Sequence, residues 1–189
     1  MPGSMTHLQL ARLVRPAGSA LFFLGTVAPD AVRGWHEKDA SHFRDLTDRM
    51  PALSALARET AGDFAEGALL HFYLDWRWDT TYLRAYQQRA GNGWFASYRE
   101  EIAQAGSWAF HRASWAAEIW AAMEDVPLRD YGVTRGAAAE EVRAFLERNH
   151  RWHRENCIGP SGAFPPEMTE AFLARTAVEY VLWREAAAE

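Results

Sequence analysis

The stretch DFAEGALLHFYLDWRWDTTYLRAYQQ, which begins at Asp63, constrains the chain most. Its apolar residues recur at helical spacing almost all the way round, so it predicts one long helix at the centre of the fold. That helix carries His71 and Asp75 four positions apart, one turn apart on one face. A lone ionised carboxylate in a core costs several kcal/mol unless a partner compensates it. The pair is therefore either a buried Asp-to-His or Asp-to-Arg hydrogen bond, or half of a metal site.

Helical spacing dominates the rest of the chain and strand-like alternation is scarce. THLQLARLV (residues 6–14) reads as a short helix with Thr6 as N-cap, ending before Pro16. ALFFLGTV (20–27) is a strand or a buried helical turn that Pro29 stops. Residues 30–39 read as a loop, a helix starts near Ser41, and Pro51 opens another over 51–60. Gly91 to Gly93 end the long helix. Residues 94–125 supply one long helix or two broken near Gly106, and residues 136–155 and 165–187 supply two more. The expectation is an all-α, single-domain bundle over residues 1–189, with Met5 as a second plausible start and residues 1–4 as an extension or disordered leader.

Composition narrows the function classes. The net charge of −5 argues against a surface for extended nucleic acid, which needs a basic face. The single cysteine, Cys157, permits no intrachain disulfide and no cysteine-rich zinc framework, which suits a reducing, cytoplasmic setting, and it reads as structural. No apolar run approaches the roughly 20 residues that cross a bilayer. Residues 12–28 have the layout of a weak signal peptide, but Gly25 and Thr26 interrupt the run and it is read as part of the fold.

Candidate chemistry lies in the first eighty residues. FLGTVAPD delivers Asp30 behind a proline, SHF places His42 twelve residues later, and His7 sits on the first helix. Singly, each has a plainer explanation as a cap, a turn residue or an ordinary histidine. Together, His7, Asp30, His42, His71 and Asp75 are nitrogen and oxygen ligands suited to zinc, iron or manganese, on separate elements that a bundle can bring together. Five ligands exceed one tetrahedral shell, which allows two ions bridged by a carboxylate.

In order, THLQLA, FFLGTVAPD, the K-x-x-S-H-F of KDASHF, and AEGALLHFYLD resemble the motifs of the zinc-dependent phospholipase C family, over roughly residues 5–80. The resemblance implies the helical fold that this family shares with single-strand-specific zinc nucleases, and hydrolysis of phosphoric esters. It also implies a zinc centre of one or two ions on His7, Asp30, His42, His71 and Asp75, with Asp75 bridging. The substrate would be a small phosphate ester or phospholipid headgroup. Asp30 is then a candidate base on the attacking water, and Lys38 a candidate ligand for a phosphate oxygen or else a solvated loop lysine.

The chain departs from the family downstream. Position 81 is Thr where a further His is expected, and no H-x-x-x-E occurs, so a third zinc has no ligands. Asp79 is either a carboxylate that orients a ligand or an exposed helix charge paired with an arginine. His150 and His153 form either a second cation site or a solvated helix end. Trp108, Trp115 and Trp120 pack the bundle or line a hydrophobic groove. The alternatives to the phospholipase-like hydrolase are a nuclease or small phosphomonoesterase, and a non-catalytic helical protein that binds metal for stability.

Overall fold

The computed structural model describes residues 2–187 and is all-α. α1 (Ser4–Val14) and α2 (Ala20–Val27) are followed by a 3-10 turn at Ala28–Ala31 and the short α3 (Trp35–Ser41). α4 (Met50–Glu59) leads to α5 (Asp63–Trp78), which passes through a π segment at Asp79–Leu83 into α6 (Arg84–Ala90). α7 (Trp94–Arg112), α8 (Ala116–Glu124), α9 (Ala139–Glu155) and α10 (Pro166–Ala187) complete the bundle. Among the described residues there is no strand, only an isolated bridge between Thr134 and Ala137.

α5 is the central helix, and α2 lies tightly against it. Gly25 and Gly67 make that approach possible: a Cβ on Gly25 would strike the carbonyl oxygen of Phe64, and one on Gly67 that of Phe22. Around this crossing one connected core runs from Met5 on α1 to Tyr180 on α10 and includes the fully buried Trp78 and Trp120. A smaller cluster of Phe43, Leu53 and Phe72 closes the side where α3 and α4 meet α5.

Several local expectations are corrected. ALFFLGTV is a helix capped by Ser19, whose hydroxyl accepts from the Phe22 N–H at 3.2 Å. The expected loop over 30–39 contains α3, and the region near Ser41 is a helix end rather than a start. There the chain closes a Schellman motif, with Arg44 N–H bonding Asp39 C=O at 2.8 Å and Phe43 N–H bonding Ala40 C=O at 3.3 Å. Phe43 holds the left-handed position usually given to glycine, at φ 58°. Edge-to-face contact with Phe72 at 5.6 Å and the Arg135 guanidinium at 4.5 Å offset that strain, which is of order 1–2 kcal/mol.

α7 runs unbroken through Gly106, and the interruption falls at residues 113–115 instead. Residues 2–4 are not a disordered leader: Pro2 and Ser4 are buried and α1 begins at Ser4, whereas Met1 lies outside the described residues. Thr6 is inside α1, whose N-cap is Gly3. Trp120 is buried and Trp115 packs on the core, so these two belong to bundle packing. Cys157 is exposed and takes no part in packing. No helix among the described residues is long and apolar enough to cross a membrane.

The crossing yields a stability prediction. Alanine is favoured over glycine within a helix by about 1 kcal/mol, but a methyl forced against backbone lies at the upper end of overpacking costs, about 3 kcal/mol. Gly25→Ala and Gly67→Ala should each destabilise by about 2 kcal/mol or more in denaturant titration, and a neutral or stabilising result would mean the helices are not in this contact.

Candidate metal centre

Four elements place the candidate side chains: α1 carries His7, the 3-10 turn Asp30, the end of α3 His42, and α5 both His71 and Asp75. Pro29 at the start of that turn ends α2, leaving the Thr26 carbonyl among the acceptors of the last helical turn. The glycine crossing brings that carbonyl to 2.8 Å from His71 Nδ1. His42 Nδ1 lies 2.8 Å from the Lys38 carbonyl, with Ser41 Oγ at 2.9 Å. A carbonyl oxygen only accepts, so both Nδ1 atoms carry the proton and both Nε2 atoms present bare lone pairs.

Those two Nε2 atoms face each other at 3.2 Å. Burial pushes the His42 imidazole down to about 4 against the partial support of Asp75 and Asp30. Burial and the neighbouring His7 push His71 down to about 3. Both rings are therefore neutral near pH 7, and two lone pairs pointing at each other make a place that could hold a cation. Two nitrogens on one tetrahedral zinc lie about 3.3–3.4 Å apart, given Zn–N bonds of about 2.0–2.1 Å. The observed separation fits a shared cation.

The remaining ligands surround the same point. Asp75 Oδ2 lies 3.7 Å from His71 Nε2 and 3.8 Å from His42 Nε2, while Asp75 Oδ1 lies 3.5 Å from His7 Nε2. The His7 ring stacks on His71 with centroids 3.9 Å apart and planes 6° apart, and neither of its buried nitrogens has a hydrogen-bond partner. Ligand atoms of His7, His71 and Asp75 converge within 4.8 Å, as do those of Asp30, His42 and His71. All five expected ligands thus fall in two groups that share His71, and one of the orphaned His7 nitrogens and Asp75 Oδ1 are polar atoms a cation would satisfy.

Charge around the cluster is organised by two arginines that the sequence did not single out, Arg44 and Arg49, together with Asp79. Arg44 Nη2 meets Asp75 Oδ2 at 2.9 Å, and Arg44 Nε meets Asp79 Oδ2 at 2.9 Å. Arg49 joins Asp79 at 3.0 Å. Burial alone would raise the Asp75 carboxyl; the Arg44 guanidinium, with His71 and His7 behind it, reverses this and holds it well below the ordinary carboxylate range. Asp79 is therefore paired with arginines, but buried rather than exposed, and it steadies the arginine that touches Asp75. The one sequence signal for Arg44 was its place directly after SHF, and nothing in local spacing announces its partners.

Lys38 Nζ sits 2.8 Å from Asp30 Oδ1, an ion pair by distance without an aligned hydrogen bond. Burial would raise Asp30, but Lys38, then His71 and His7, outweigh it and leave the carboxyl far below its usual range. The Lys38 side chain is 21% exposed and that of Asp30 8%. Both line a cleft of about 1340 Å³ whose wall also includes Arg44, Trp35, Trp76 and Phe95. Of the five ligands only Asp30 reaches this cleft, so solvent approaches the cluster across Asp30 and its ion-paired lysine.

His150 and His153 lie outside this cluster and are buried, not a solvated helix end. His150 Nδ1 is 3.0 Å from Glu124 Oε1 and its ring stacks on Trp120 at 5.5 Å, while His153 stacks on Phe110 at 5.4 Å. Burial, then His150 and His111, push His153 down to about 4. No metal-holding group forms there among the described residues. No protein-family model, curated protein or solved structure matches the chain.

The neutral imidazoles set a pH dependence for the chelated protein. His42, His71 and His153 take up protons at about 6.5 when unfolded, but only near 4, 3 and 4 when folded. Below pH 6.5 the unfolded state binds more protons, so stability is full above that value and falls as pH drops toward 4. Thermal melts in chelator should show Tm decreasing from about pH 7 to about pH 5; a flat profile would show that these rings are not held neutral.

Proposed function

We propose that the chain is a metal-dependent hydrolase of phosphoric esters, similar to zinc-dependent phospholipase C. The observation that carries this reading is the pair of unprotonated Nε2 atoms 3.2 Å apart beside the Asp75 carboxylate. Their donor set suits zinc, with iron or manganese as alternatives. His42, His71 and Asp75 would hold the ion, with His7 and Asp30 completing its surroundings. A cation there supplies Lewis acidity toward a phosphoryl oxygen and lets water ionise near neutral pH.

The chain's own residues supply the rest. The Thr26 and Lys38 carbonyls fix the two imidazole tautomers and their orientation, as outer hydrogen bonds do at metal sites. Lys38 and Arg44, both on the cleft wall, would take up phosphate oxygens. The low proton affinity of Asp30 suits it better to ligation than to accepting a proton, so its part is to hold the cation and to position Lys38. Aromatic side chains on the wall, among them Trp35, Trp76 and Phe95, supply apolar surface for the alcohol part of an ester.

A second reading has one observation in its favour. Four of the five ligands lie away from the cleft wall, as they would in a centre that only stabilises the bundle. Turnover separates the two. Purified protein should contain stoichiometric zinc or a similar ion, His71→Ala and Asp30→Ala should lose most of it, and chelation should lower the wild-type Tm. Across choline, nucleotide and aryl phosphates, at least one ester should be hydrolysed, with loss of about 100-fold or more on chelation. Equal metal in all three proteins would refute the ligand set. Metal-dependent stability without turnover on any ester would leave a structural metal protein.

A further inference from the structure

The resemblance to zinc-dependent phospholipase C leads to two ions bridged by Asp75, and the geometry points elsewhere. Both convergent ligand groups contain His71. Its Nδ1 is committed to the Thr26 carbonyl at 2.8 Å, so the ring has one lone pair to give, on Nε2. If His71 joins Asp30 and His42, a second ion keeps only His7 and Asp75 among the described residues. If it joins His7 and Asp75, the other ion keeps only Asp30 and His42. Unless Asp75 bridges, either division leaves one ion with two protein ligands, below the three that catalytic zinc sites use.

Asp75 is also half occupied. Its Oδ2 accepts from Arg44 at 2.9 Å, so the oxygen that a bridging carboxylate would turn toward a second ion already faces a guanidinium. Charge leads to the same count. Asp30, Asp75 and Asp79 are matched by Lys38, Arg44 and Arg49 before any metal binds. Ligation requires neutral imidazoles. One divalent ion therefore brings these six groups to +2, which suits a phosphate dianion, whereas two would bring them to +4.

We infer that the centre binds a single divalent ion and that Arg44 stands where a second cation would sit, with Asp75 as a terminal rather than bridging ligand. The inference rests on the metal-binding reading above and fixes its stoichiometry. In such a centre, Asp79 and Arg49 act through Arg44, holding its guanidinium against the same carboxylate that would ligate the cation.

Titration of chelator-stripped, full-length protein with Co2+, followed by visible absorption and calorimetry, tests this directly. The expected result is one saturating equivalent per chain with the strong visible bands of a four-coordinate ion. His7→Ala should weaken that equivalent without changing the count. Arg44→Met frees Asp75 to present both oxygens and removes one positive charge, so it should admit a second, weaker equivalent in protein whose circular dichroism shows it folded. Two equivalents in the wild type, or a drop from two to one in His7→Ala, would overturn the inference while leaving the hydrolase reading standing. An unchanged single equivalent in folded Arg44→Met would overturn the place given to Arg44. No Co2+ uptake by the wild type would remove both readings.

Discussion

The close crossing of α2 over α5 at Gly25 and Gly67 is the contact on which the rest depends. Two helices that touch backbone to backbone carry a carbonyl from one within reach of a side chain on the other, and here the carbonyl is Thr26 and the side chain His71. That one hydrogen bond decides which imidazole nitrogen is protonated, and so which is left to donate electrons. The same crossing buries the ring, which keeps it neutral. A bulkier residue at either glycine would thus alter chemistry as well as packing, because the site's protonation pattern follows from helix separation.

Around this fixed ring, opposed charges hold one another in place. Asp75 and Asp79 lie one turn apart where α5 passes into its π segment, and both close on Arg44. Irregular helical turns of this kind tend to occur where side chains must be aimed. Arg44 itself is positioned by the Schellman closure after α3, in which its N–H bonds the Asp39 carbonyl. One short motif therefore sets a candidate ligand, His42, and two residues later the arginine that compensates the charge of another, Asp75.

Much of this could be read from residue order. The helical spacing after Asp63 gave the central helix, and the burial of His71 and Asp75 followed from its apolar surroundings. The five ligand positions could be named because their residue types are few and chemically specific. The end of α3 was misread because a helix that stops in a left-handed turn normally shows glycine, and here Phe43 takes that place, held by Phe72 and Arg135 from distant parts of the chain. Asp79 is legible as the partner of an arginine, but which arginine is not, since a pairing with Arg44 across 35 residues leaves no local pattern. His150 and His153 sit among charged neighbours in sequence, and only the packing of α8 and α7 against α9 shows them to be buried.

The site's walls differ in permanence. His7, His71 and Asp75 are built into α1 and α5 within the main core, whereas His42 hangs from α3, a seven-residue helix whose Trp35, His36 and Glu37 face solvent. Helices this short have little stability of their own. Opening of α3 alone would carry His42 and Lys38 outward and uncover the other four candidate ligands, with the bundle otherwise intact. An ion held at this cluster would then need only a local opening, against the aromatic clasp on Phe43, to enter or leave, with no unfolding of the bundle.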